Sequence, residues 1–197
     1  MADEETPMGE ELNRAVELLI DRFAELSIRY ALVGGLATTL RGRPRLTQDA
    51  DFVLDIPQIT LPKLLDGLVE SGFSLDRTTV IREYVQQGIT AFYFGSVRID
   101  WLKPVLPLYA RALADATELT WNPSHQVRVA TAEGLVLTKL LAFRPQDQGD
   151  IKTLLIANKD DINLDLIRRE WSAVADASDP RTVWLETKIR EVIPPGK

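Results

Sequence analysis

The segment Val33–Ile56, VGGLATTLRGRPRLTQDADFVLDI, constrains the chain more than any other stretch. A short apolar strand, Tyr30–Val33, runs straight into Gly34-Gly35. Leu36–Leu40 then reads as a short helix, closed by Gly42 and Pro44. Glycine at a strand-to-helix turn lets backbone N–H groups come close to a ligand oxygen, and a helix N-terminus favours negative charge. Beyond the turn, Asp49 and Asp51 alternate with Ala50 and Phe52. Residues two apart in a strand share a face, so both carboxylates project together. The strand is expected to extend to Ile56, and Pro57 ends it.

The surroundings of this segment alternate helix and strand. Residues 10–28 place Leu12, Val16, Leu19, Phe23 and Leu26 at helical spacing, which predicts a one-faced amphipathic helix. Leu61–Ser71 reads as a helix with Pro62 in its first turn. Thr78–Gln86 fits more than one state. Thr90–Phe94 and Val97–Leu102 read as strands of a hairpin joined at Gly95-Ser96. Pro107–Ala116 is expected to be helical and Gln126–Ala130 to be a strand. From Thr131 the texture changes: Ala132–Phe143, Asp150–Asn158, Leu164–Val174 and Thr182–Val192 are all helical by period or propensity. There is no internal repeat. The expected class is α+β, a small mixed β-sheet flanked by helices with a helical C-terminal region. Residues 1–130 would form the α/β core and 131–197 a helical region packed on it, as one compact unit.

Composition removes several function classes. The 197 residues include no cysteine, which excludes disulfides, thiolate zinc sites and a cysteine nucleophile. A formal charge of −6 argues against a broad, nonspecific grip on nucleic acid. The acidic start, MADEETPMGEE, lacks the basic and apolar regions of a signal peptide, and no apolar run approaches a membrane span. A cytoplasmic protein with no membrane partner is expected.

The two aspartates carry the chemistry. Like charges so close raise each other's pKa unless a cation lies between them. Hard oxygen ligands at this spacing suit Mg²⁺ (or Mn²⁺), which binds one or two carboxylates together with substrate phosphates. Asp100, in VRIDWL, would supply a third ligand or take a proton from an attacking hydroxyl. Trp101 beside it faces the opposite side of the strand and is expected in the core. Arg41, Arg43 and Arg45 form the sharpest basic cluster; they either bind a triphosphate or an RNA acceptor end, or belong to a solvated loop shaped by Pro44. His125, the only histidine, sits in NPSHQ and is expected to have a loop role.

Val33-Gly34-Gly35, Asp49-x-Asp51 between apolar positions, and then Asp100 resemble the nucleotidyltransferase superfamily that includes polymerase β. Within it, GGLATTLRGRPRLTQDADF is similar to the bacterial branch of AbiE-type toxin nucleotidyltransferases, and Arg45, Thr47, Asp49 and Asp51 match that branch's motif. A second block, EGLVLTKLLAFRPQDQGDI, matches through Lys139, Arg144, Asp147 and Asp150. The likeness spans roughly residues 30–155. It implies a nucleotidyltransferase fold. Asp49, Asp51 and Asp100 would be metal-binding and catalytic, and Gly34, Gly35, Arg45, Thr47 and Lys139 would bind the nucleotide. Asp147 and Asp150 are expected to pair with Arg144 and cap the next helix rather than to bind metal. The implied reaction moves NMP from an NTP to an acceptor hydroxyl on a tRNA end, a protein side chain or a small molecule. A cognate toxin or antitoxin protein would be a further partner. The rival expectation is a binding module, a nucleotidyltransferase-fold protein that holds a nucleotide or partner protein with little catalysis. Gly35 stands where serine is common in polymerases, so only backbone donors are available there, which fits the bacterial branch.

Overall fold

The computed structural model describes residues 7–44 and 46–193. In chain order, helix α1 (Pro7–Glu25) leads into strand β1 (Arg29–Val33), helix α2 (Gly34–Arg41) and strand β2 (Asp49–Asp55). Helices α3 (Leu61–Glu70) and α4 (Arg77–Gln86) precede the hairpin of β3 (Ile89–Phe94) and β4 (Val97–Leu102). After α5 (Pro107–Ala114), a second hairpin joins β5 (Thr117–Asn122) to β6 (His125–Val129). Helices α6 (Ala132–Ala142), α7 (Pro145–Ala157), α8 (Leu164–Ser172) and α9 (Pro180–Val192) follow. The expected α+β class is what the chain forms. Thr78–Gln86 resolves as a helix whose N-cap, Asp76, accepts a hydrogen bond from the Thr79 N–H at 2.8 Å.

The six strands make one mixed sheet in the order β3-β4-β2-β1-β6-β5. Strand β2 is antiparallel to β1 and parallel to β4, so it lies between the glycine turn and the strand carrying Asp100. One sheet face is aromatic. Phe23 of α1 meets Tyr30, Phe52 and Trp101 at ring-centroid distances of 5.0, 5.6 and 6.1 Å. Trp101, fully buried as its strand parity required, packs edge-on against Phe92 at 4.7 Å. Tyr84 of α4 locks this layer to β2 by donating its hydroxyl to the Leu54 carbonyl at 2.7 Å.

Over β1 and β2, the opposite face is covered by α2 and α5. Helix α6 packs on both of these, and α7 and α8 pack on α6. Leu135, Leu140, Ile151, Leu154, Ile167 and Trp171 all join the same hydrophobic cluster as the sheet residues. Helix α6 is buried almost all round, as a helix with no polar stripe must be. No helix among the described residues is long and apolar enough to cross a membrane.

Arg41 has a structural job in this framework. Its guanidinium donates to the carbonyls of Ala130 and Val129 at 3.1 and 3.0 Å, and to the Thr117 hydroxyl. It therefore ties the end of α2 to β6 and β5, and only Arg43 of the described members of the basic cluster is exposed.

Candidate active site

Strand register builds the site. Val33 pairs with Asp51, and Asp51 pairs with Asp100 on the next strand, so the end of β1, the D-x-D and the third aspartate fall on one line across the sheet. Asp49 lies two residues from Asp51 on the same face. The chain reverses at Val33 into α2, whose first residues are Gly34 and Gly35 themselves. The first N–H groups of a helix have no partner within it, so this end presents donors beside the carboxylates. Gly34 has a φ of +66°, and a Cβ there would lie 2.0 Å from Oδ2 of Asp51. Only glycine permits the turn and the carboxylate to share this space.

Gly34→Ala therefore combines left-handed strain of about 1–2 kcal/mol with displacement of Asp51. A misplacement of about 1 Å at a reacting centre can cost on the order of 100-fold in rate. Melting temperature is expected to fall in this variant, and the rate of a reaction that uses Asp51 to fall by far the more.

The three aspartates open into a cleft of about 630 Å³. Gly34, Gly35, Thr47, Asp49, Asp51, Asp100 and Lys139 all line it. Seven of the sequence-derived site residues thus meet at one place, while Arg45 lies outside the described residues. Sequence reasoning missed Arg98, Tyr109 and Gln146, which share the lining. Arg98 was legible in principle, because it is two residues from Asp100 on the same strand face. Tyr109 carried no local signal, since α5 reaches the cleft only through the fold.

Electrostatics separate the members of the site. Burial pushes the Asp51 carboxyl up to about 6, and the charges of Asp100 and Asp49 push the same way, against Lys139 and Arg144. Burial likewise raises the Tyr109 phenol, with Asp51 adding to it. Asp100 accepts a hydrogen bond from Arg98 Nη2 at 2.8 Å. Lys139 is expected to contact phosphate, but it is buried in the cleft wall. Its ammonium donates to Asp150 Oδ2 at 2.6 Å and lies 3.7 Å from Asp147 Oδ1. Asp147 also accepts from the backbone N–H and Nε of Arg144, at 3.0 and 2.7 Å. The expected Arg144–Asp147 cap is present, whereas Asp150 turns to Lys139 instead. Phe143, in the left-handed region at φ +49°, ends α6 and swings Arg144 to the start of α7, with its side chain 62 % exposed at the cleft.

The donor set fits a hard divalent cation. Three carboxylates on adjacent strands supply only oxygen, and burial together with two acidic neighbours makes one of them resist ionising. Their side chains are not closed around a common point: among the described residues no group of three or more acidic or histidine side chains is arranged to hold a metal ion. Arg98 meanwhile holds Asp100.

No protein-family model matches the chain, and no curated protein sequence does. The likeness is to solved structures. An antigenic nucleotidyltransferase-like protein from Paracoccidioides brasiliensis superposes with a TM-score of 0.55 at 22 % identity, covering 93 % of this chain and 96 % of that one. The chain has the nucleotidyltransferase fold. The antibiotic-resistance factor ANT(2'')-Ia aligns with a TM-score of 0.53 at 14 % identity, over 91 % of this chain and 97 % of its own. Its complex with adenylyl-2''-tobramycin aligns at 0.52, again at 14 % identity, over 82 % and 95 %. Within this nucleotidyltransferase fold, the cleft described above is formed at the glycine turn.

Proposed function

We propose that the chain is a divalent-metal-dependent nucleotidyltransferase that moves NMP from an NTP to an acceptor hydroxyl. The observation that carries the reading is Asp51: a nearly buried carboxylate pressed against the Gly34 backbone, with its pKa raised to about 6 by burial and by two neighbouring aspartates. A protein gains nothing in stability from such a cluster, and a cation relieves it. Asp49, Asp51 and Asp100 would hold Mg²⁺ or Mn²⁺, which supplies charge neutralisation for the triphosphate.

The chain's own groups divide the remaining work. N–H donors at Gly34 and Gly35 face the phosphates, and the positive end of α2 favours them. Lys139 acts as a fixed charge in the wall, set by Asp150 and Asp147, while Arg144 is the exposed cation that meets phosphate oxygen directly. The acceptor oxygen forms a bond to the α-phosphorus, and the bond from that phosphorus to the bridging oxygen breaks. Pyrophosphate leaves with that electron pair, and the hydroxyl proton passes to a cleft carboxylate, by position Asp100.

Calorimetric titration of the full chain tests the binding half of this reading, using NTP analogues that carry a methylene between the α- and β-phosphates. Binding that requires Mg²⁺ is expected for at least one base. Arg144→Ala removes a charge-assisted contact of about 1.5–3 kcal/mol, so its Kd is expected to rise roughly 10- to 100-fold. A protein that binds none of the four analogues would not be a nucleotidyltransferase.

A further inference from the structure

Tyr30, Tyr84 and Tyr109 all pack against the core, but their hydroxyls differ. Tyr84 donates to the Leu54 carbonyl and accepts from the Ile56 N–H, at 2.7 and 3.3 Å. Tyr30 accepts from the Arg128 N–H at 3.2 Å. No hydrogen bond of the described residues engages the Tyr109 hydroxyl; burial and nearby charges alone act on it. A phenol set into a protein wall ordinarily finds a partner. The Tyr109 ring lies against the edge of the hydrophobic cluster, and the residue also lines the cleft. Leu108, Ala112 and Leu113, each at most 6 % exposed, already seat α5 on the core, so the hydroxyl is not needed for that.

Helix α5 packs on β1, β2 and α6, the elements that carry the glycine turn, Asp51 and Lys139. The charges that act on the Tyr109 hydroxyl are those of Asp51, Arg144 and Asp147, so it faces the part of the cleft between Asp51 and the start of α7. Burial and Asp51 raise the phenol, which therefore keeps its proton and can donate it in a hydrogen bond. Asp51 accepts no hydrogen bond from it. Asp147 is already taken by Arg144 and lies against Lys139. The other groups on this wall donate as well. Arg144 commits Nε and Nη2 to Asp147, and no described residue takes its Nη1. Gly34 and Gly35 open α2 with N–H groups that a helix leaves unpaired. A row of donors without an acceptor of its own matches an anion rich in oxygen.

We propose that Tyr109 is a phosphate-binding residue, its hydroxyl donating to a non-bridging oxygen of a nucleotide triphosphate held between the Gly34 turn and Arg144. The inference rests on the nucleotidyltransferase reading and deepens it by adding a neutral donor to the groups that hold the nucleotide. A neutral donor suits this position. A lysine or arginine here would pair with Asp51 and occupy the carboxylate, whereas a phenol adds a contact to phosphate and leaves Asp51 unpaired.

The test titrates the full chain and its Tyr109→Phe variant by calorimetry in Mg²⁺, with the four methylene-bridged NTP analogues and with inorganic tripolyphosphate. Phenylalanine keeps the ring and removes only the hydroxyl. The Kd for tripolyphosphate and for each analogue that binds the wild type is expected to rise about tenfold or more, as loss of a hydrogen bond to a charged group does. The melting temperature without Mg²⁺ or nucleotide is expected to stay at or above the wild-type value, because no internal hydrogen bond is lost. An unchanged Kd for tripolyphosphate would overturn the inference whether or not analogue affinity falls, since the hydroxyl would then meet the nucleoside or nothing. A ligand-free melting temperature several degrees below wild type would overturn it too, because the hydroxyl would then serve the fold. So would a wild type that binds an analogue and not tripolyphosphate. Failure of the wild type to bind any NTP analogue would instead bring down the underlying reading, and this inference with it.

Discussion

Asp51→Asn is expected to stabilise the metal-free protein at neutral pH and to abolish nucleotidyl transfer at the same time. The ordinary carboxyl pKa is 3.8, and burial with two acidic neighbours lifts that of Asp51 to about 6. A folded-state pKa above the unfolded value means that the folded form prefers the protonated group. Its contribution to stability is therefore intact below about pH 4 and is lost as pH rises through about 6. A rise from 3.8 to about 6 corresponds to about 3 kcal/mol, which for a chain of this size is roughly 6–12 °C in Tm. Asparagine keeps the shape and removes the charge. Melting curves in a chelator should show the variant level with wild type near pH 4 and above it by pH 7–8. Mg²⁺ with an NTP analogue should reverse the order, because ligand binding stabilises only the protein that binds it. A wild-type protein as stable as the variant at pH 8 in chelator would mean that Asp51 is not held in the strained state described here.

Lys139→Met should be among the most destabilising single changes in the chain. The ammonium is 6 % exposed and lies between Asp150 at 2.6 Å and Asp147 at 3.7 Å, whose side chains are 8 % and 2 % exposed. Removing one member of a buried ion network leaves uncompensated charge behind, at a cost of about 3–5 kcal/mol. Denaturant unfolding should show that loss. Lys139→Met combined with Asp150→Asn should recover a large part of it, since the second change removes the charge that the first one stranded. If Lys139 were instead an exposed phosphate ligand, the single variant would unfold at the same denaturant concentration as wild type and lose only nucleotide affinity.

The two predictions mark where sequence was informative and where it was not. The strand, glycine pair and D-x-D are local, and a period of two is enough to put Asp49 and Asp51 on one face. Asp100 was also accessible, because Trp101 beside it had to face the core. Lys139 was visible as a charge inside an apolar run, but its counter-ions sit on the next helix. They reach it only because Phe143 adopts a left-handed conformation that nothing about a phenylalanine announces. Residues 117–122 gave no strand signal: TELTWN is an edge strand with no fully buried position, so no alternation was imposed on it. The uncovered face of β3 was hidden for a different reason. Alternation in ITAFYF shows that β3 has two faces, but only the packed structure shows which of them no helix covers.

The central claim is that Asp49, Asp51 and Asp100 act together on a nucleotide in this cleft. Its most direct test is release of pyrophosphate, with label left on the acceptor, from α-labelled NTP in the presence and absence of Mg²⁺. The account predicts product only with the cation, and none from folded Asp51→Asn. Equal product in chelator, or undiminished product from Asp51→Asn, would contradict it.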